Sequence, residues 1–572
     1  MYVSVICLAV LSGGVLLQAS ASKSQTPDKR AVKQKATKDF IIKVEPWGPT
    51  QEIIDETVET ITKDPAVARY LDNNQYQLIS VDYVDPDNKK GLNGPPDNFR
   101  VIYYDYTNER SIIVLSKFSK PGDLEVSVSL FQALPNPDEF EAAIKIIEND
   151  PQLGAALRAK KLVPYFPMPP LYFASGIRTR TERVVNVGLP AKNPDDPAVE
   201  RENEIVSVAM SRQSVRRFTT GAPPTASAQP AADCSPPPSG GSSTGRGVAG
   251  HYQFEVTDLA GVQLWSFLAI RPSASSGADG SGIELRDVRY KGKMVLKRAN
   301  VPILNVLYDN NTCGPFRDWQ YAENQFAADP ATGTTLAPGV RSCNVPATTV
   351  LETDIDAGNH QGIAYYKEGD GVVLVSELSA GWYRYISEWR FMADGTIKPR
   401  FGMGAVQNSC TCQPHVHHVY WRFDFDIEAA APNRILEPRG NRIFNSFPVP
   451  LEAKRYRKAG TQETWIVDNP ATGNSYLIRS NFYDNSAAND PYARGDLWFL
   501  TYSGAEFDDS AVRINTQANI DAFLTNNKLT NNDVVIWYGG HIPHNRGMYN
   551  RFHDHSINGP AVAGPDLIPL RW

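Results

Sequence analysis

Nine histidines occur in this 572-residue chain, and all but His251 and His360 lie between His415 and His555. They form two groups, PHVHHVYWRFDFDI from Pro414 and WYGGHIPHNRGMYNRFHDH from Trp537. His415 and His417 are one residue apart, so on a strand they project from one face about 6.7 Å from each other. Both can then reach a single metal at about 2.0–2.1 Å. His418 would point to the opposite face. The alternating YWRFDFDI that follows favours a strand. Three neutral imidazole nitrogens suit zinc, copper, iron or nickel, with copper favoured by the affinity order. The other reading of an H-x-H is a surface or hydrogen-bonded histidine pair. The second group offers His541, His544, His553 and His555, and the HDH at its end reads as a second metal site or as solvated loop residues.

The elements that must hold these residues follow from texture. Residues 1–21 read as a signal peptide, with an apolar run from Val3 to Leu17 before Ala19-Ser20-Ala21. This predicts a secreted, extracellular protein. No later stretch approaches the roughly 20 apolar residues of a membrane span. Hydrophobic content of 42% and 21% charge are those of a folded protein with a large core. A net charge of −6 is mild for this length and gives no reason to expect nucleic acid or an anionic membrane as partner.

Two similar units follow the leader. Helices are predicted near Gln51–Thr62 and Asp138–Glu148, ending in the related segments ITKDPAVARYL and IENDPQLGAAL. Strand-like runs follow each helix, giving small α+β domains at 38–130 and 131–218. Residues 219–250 form a Pro/Gly/Ser-rich linker. From 251 to 572 short alternating strands predict a large β-sandwich. Removing Cys7 with the leader leaves five cysteines, an odd count. Cys313 with Cys343 is the expected disulfide, since both lie in one strand-rich stretch. Asn310-Asn311-Thr312 is a glycosylation sequon.

HVHHVYWRFDFDI resembles the copper amine oxidase segment in which an H-x-H pair precedes R-x-D-x-D, and GGHIPH resembles that family's third-ligand segment. SAGWYRYISEWRFMADGTI is similar to the strand whose tyrosine becomes topaquinone. VQLWSFLAI and GIELRDVRYKGKMVLKRANVPILNVLYDN are similar to the strands before it. The likeness spans roughly 250–572, and the paired small domains resemble the family's amino-terminal α+β domains. The fold implied is α+β amino-terminal domains followed by a large all-β copper domain.

By that resemblance, His415, His417 and His541 hold copper, with His544 in reserve because the strand from Trp537 to His541 is about three residues shorter than the family's. Tyr383 is the topaquinone precursor, and Tyr308 hydrogen-bonds the quinone oxygen. Asp424, Asp426 and Asp533, with the carbonyls of Phe425 and Val534, match a peripheral calcium site; alternating surface acids are the other reading. The implied protein is a homodimer that converts a primary amine and O₂ to an aldehyde, ammonia and hydrogen peroxide. Three departures fall on the chemistry. Trp382 and Arg384 flank Tyr383 where the family has asparagine and an acid. Glu323 or Asn324 stands where the family's aspartate base lies, and only Glu323 can titrate. An Arg384 guanidinium beside the quinone would repel a protonated amine and welcome an anionic or zwitterionic one. Two alternatives therefore stay open: a copper protein of this fold with unmodified Tyr383 that oxidises something else, and a non-catalytic copper-binding descendant.

Overall fold

The structure, a computed structural model, describes residues 39–84, 96–130, 132–166, 182–190, 192, 203–217, 244–277, 279–311, 314–406, 411, 414–440, 442–486, 495–504, 506, 519–544 and 561–572. The leader, Thr312, Cys313, His553 and His555 lie outside them. Among the described residues no helix is long and apolar enough to cross a membrane.

The first helix runs Gln51–Lys63, with the Thr50 side chain accepting from the backbone of Ile53. Its Ile54 and Ile61 are buried with Val101, Tyr103 and Ile112 of a four-stranded sheet spanning Tyr76–Ser129. The counterpart helix is Pro137–Glu148. Asn136 caps it and Pro137 sits in its first turn, where a missing N–H costs nothing. Ala143 and Ile147 pack on Val185, Val187, Val206 and Val208 of a three-stranded sheet. Phe40–Pro46, at the start of the predicted first domain, instead pairs antiparallel with His251–Asp258 as the edge of a large sheet.

That large sheet has ten strands. Its middle runs Lys293–Asn311, His415–Phe425, Val534–His544, Leu497–Thr501. A second sheet, of twelve strands, contains the neighbours Gly371–Ala380, Tyr383–Met392 and Ile397–Ala405. Val306, Val419, Trp421, Phe423, Ile536 and Tyr538 from the first sheet share one buried cluster with Leu378, Tyr383, Tyr385, Trp389, Phe401 and Met403 from the second. The two sheets are thus packed face to face. The first sheet is buried on its outer face as well, where Tyr420, Val535 and Trp537 pack with Trp498, Leu500 and Ile520. Covering both faces explains why these strands read as nearly continuous apolar runs.

The three-stranded unit reaches this core through Tyr165 and Phe166. The Tyr165 ring meets Trp382 edge-on at 5.8 Å and Phe166 tilts onto Trp319 at 5.3 Å. Room for Tyr165 exists because residue 188 is glycine: a Cβ there would lie 2.1 Å from the tyrosine ring. Cys343 is a free, buried thiol, with its pKa pushed up to about 11 by desolvation. The Gly188→Ala variant is expected to lose about 1–3 kcal/mol of stability through overpacking. Urea unfolding monitored by tryptophan fluorescence measures this, with Tyr165→Ala in the same background relieving the clash.

Candidate metal centre

Three strands build the site. His415 and His417 lie on His415–Phe425, which pairs antiparallel with Val534–His544 so that His415 faces His544 and His418 faces His541. On a strand, residues three apart point to opposite faces. His544 therefore joins His415 and His417 on the inner face, and His541 joins His418 on the outer one. Ring nitrogens of His415, His417 and His544 lie within 4.8 Å of one another, and all three residues are buried. His415 Nε2 is 3.3 Å from His544 Nδ1.

The histidine grouped with His415 and His417 is thus His544, held in reserve from the sequence, and not the expected His541. His541 has a different role. Its Nδ1 is 2.9 Å from His418 Nδ1, and its Nε2 is 2.7 Å from Asp496 Oδ1. Burial holds its pKa down at about 4, although Asp496 pulls the other way.

Tyr383 enters from the facing sheet. Its hydroxyl is hydrogen-bonded to His415 Nε2 and lies 2.9 Å from His544 Nδ1, and the ring is fully buried. Two residues on and on the same face, Tyr385 donates its hydroxyl hydrogen to Asp318, with its oxygen 2.9 Å from His417 Nδ1. The two tyrosine rings lie nearly parallel at 5.7 Å. Across the sheet, Tyr308 stands in register with His415.

Electrostatics in the cluster favour a metal. Burial, then the neighbouring histidines, pushes the pKa of His417 well down, and burial with His415 does the same for His544. Both shifts favour the neutral ring that a metal ligand must present. His417 Nε2 is buried without a hydrogen-bond partner, a costly state that coordination would relieve. The donor set fits copper, with Tyr383 beside it. Asp318 and Tyr385 were not among the residues nominated from sequence. One signal in the sequence points to Tyr385, which keeps the parity of Tyr383. Desolvation, aided by the Asp279 charge, drives the Asp318 pKa well above the carboxylate range against the Tyr385 hydrogen bond.

The other nominated residues are placed as follows. Glu323 is fully buried and paired with Arg271, which donates through Nε at 2.8 Å and also through Nη2; Ser273 N–H adds a bond of 3.1 Å. Both of its oxygens are thus engaged by the Arg271 guanidinium, one of them also by a backbone N–H. Asn324 donates to Asp356 at 2.9 Å and to Glu377 at 2.6 Å. Arg384 does not sit beside the Tyr383 ring. It points from the opposite face, bonded to both Asp356 oxygens at 2.7 and 3.0 Å and to the Gly381 and Tyr383 carbonyls. Carboxylate oxygens of Asp424, Asp426 and Asp533 come within 4.8 Å of one another, and Phe425 faces Val534 in register.

Replacing His544 by Asn is expected to abolish tight copper binding. His541→Asn should keep one copper per chain while lowering stability; metal analysis after dialysis distinguishes the two. Glu323→Gln leaves Arg271 buried without a counter-charge and should cost about 3–5 kcal/mol. Denaturant unfolding reads this, with copper stoichiometry unchanged.

No protein-family model matches the sequence, and no curated protein matches it. Solved structures do match. A copper-containing benzylamine oxidase from Hansenula polymorpha superimposes with a TM-score of 0.56 at 13% identity, covering 92% of this chain and 98% of that one. An amine oxidase from Aspergillus nidulans gives 0.50 at 14%, over 92% and 88%. The lysyl oxidase of Pichia pastoris gives 0.50 at 12%, over 91% and 88%. At such identities the likeness establishes architecture: this chain has the copper amine oxidase-like fold.

Proposed function

We propose that the protein is a copper-dependent oxidase that turns a primary amine, O₂ and water into an aldehyde, ammonia and hydrogen peroxide. The observation that carries this reading is the position of Tyr383, whose hydroxyl bonds His415 Nε2 and lies 2.9 Å from His544 Nδ1. His415, His417 and His544 would hold the copper. Copper with O₂ would supply the oxidation of Tyr383 to topaquinone, whose electrophilic carbonyl carries the amine chemistry.

The chain's own contribution is position and exclusion. The Tyr383 hydroxyl is anchored by two imidazoles, so the ring is fixed beside the metal before any reaction. The three histidines, Tyr383 and Tyr385 are all buried, which keeps bulk water from the cluster. Arg384 spends its charge on Asp356, which removes the electrostatic objection to a cationic amine. The substrate class is therefore an ordinary primary amine rather than an acidic one. The oxygen cluster of Asp424, Asp426 and Asp533 has the hard donors calcium takes, and we assign calcium there. A homodimer delivered outside the cell completes the reading, from the sequence resemblance and the leader.

Copper-loaded, aerated protein should develop a broad visible quinone band that shifts on adding phenylhydrazine, and Tyr383→Phe should abolish both. Copper bound at the histidines with neither band nor adduct would overturn the quinone. The second reading, a copper protein with intact Tyr383, would then stand, favoured by the commitment of Glu323 and Asn324 to structural bonds.

A further inference from the structure

Tyr385 has one hydroxyl hydrogen and donates it to Asp318 Oδ2. With Asp318 ionised, the state a nearby dication favours, its oxygen can then only accept from His417 Nδ1, 2.9 Å away. The His417 hydrogen is thereby placed on Nδ1, and the lone pair is left on Nε2, the atom buried without a partner in the metal cluster. We infer that Asp318, acting through Tyr385, is the positioning carboxylate of the metal centre, setting the tautomer and orientation of His417.

The inference rests on the histidine cluster being a metal site and adds residues to it. A purely structural Tyr385–Asp318 bond accounts poorly for what surrounds it. Asp318 is fully buried and its Oδ1 has no hydrogen-bond partner, so the chain has an unsatisfied atom at each end. A buried carboxylate held only for stability is no better than an apolar pair of the same volume. A dication on His417 Nε2 supplies the missing charge at one end and favours the ionised carboxylate at the other. Carboxylate partners of metal-bound histidines act in this way, raising ligand basicity and fixing the ring; their loss typically costs 10–100-fold in metal affinity. Here a phenol is interposed. Asp318 is carried on the segment after Arg317 and Tyr385 on the strand that also carries Tyr383, so both rows of the site depend on one backbone alignment.

The test is copper affinity by competition with a calibrated chelator, together with the Cu(II)/Cu(I) midpoint potential. Tyr385→Phe and Asp318→Asn are compared with wild type. Tyr476→Phe, which removes a buried hydroxyl bonded to the Gly395 carbonyl, serves as the structural control. Tyr385→Phe should bind Cu(II) about 10–100-fold more weakly, and its potential should rise as His417 becomes a poorer donor. Asp318→Asn should move both in the same direction by less, and Tyr476→Phe should move neither. A folded Tyr385→Phe with wild-type affinity and potential would overturn the inference while leaving the metal centre standing. If Tyr385→Phe does not fold, Asp318→Asn decides by the same two readings. Wild-type protein that binds no copper at these histidines would overturn the parent reading, and this inference with it.

Discussion

The site depends on the register between His415–Phe425 and Val534–His544. Antiparallel pairing sets His415 opposite His544, and side-chain alternation does the rest. A slip of one residue would send His544 to the outer face and bring His541 inward, among groups that could not satisfy Asp496. The register is strongly specified because both faces are buried: any slip would move Val535 and Trp537 out of one core and Ile536 and Tyr538 out of the other. The metal geometry is thus held by large apolar side chains that never touch a metal.

The interior handles charge in two ways. Away from the histidines, buried ions are paired: Glu323 with Arg271, Arg384 with Asp356, Arg422 with Glu506, and Arg183 with Glu139. Around the histidines, pairing stops. Among the described residues, three imidazoles, two phenols and the Asp318 carboxyl, its pKa raised by burial, converge there. Burying polar atoms without partners is expensive, and a cation on His417 Nε2 would relieve one such atom inside the histidine cluster.

Several parts of this were legible in the sequence. The H-x-H spacing put His415 and His417 on one face of a strand, and the short alternating strands after residue 250 pointed to the packed sheets. The helices expected near Gln51–Thr62 and Asp138–Glu148 were readable from apolar spacing and are found at Gln51–Lys63 and Pro137–Glu148. The third ligand was not legible, for a physical reason. VVIWYGGHIPH is buried on both faces, so its hydrophobicity does not alternate and the parity of His541 against His544 leaves no trace in composition. The partner of Glu323 was illegible for another reason: Arg271 lies 52 positions away and is brought to it only by the fold. Asp318 was overlooked because its significance arises only when Tyr385 is brought to it from another strand.

Parity also disposes of the feature that most set this sequence apart. Arg384 interrupts the motif around Tyr383, yet a residue adjacent on a strand belongs to the opposite face and cannot reach the same ring. Its guanidinium instead ties the strand to Asp356 and to nearby carbonyls. Trp382, which precedes the strand, packs on Tyr165. The chemistry is set by what shares the face of Tyr383: Tyr385 on its own strand, and His415, His417 and His544 across the gap. On that face the hydrogen-bonding atoms form a connected set from Asp318 through Tyr385 to His417, and from Tyr383 to His415 and His544. Changes at the alternate, outward positions such as 382 and 384 therefore leave the inward-facing set that would hold and tune a metal untouched.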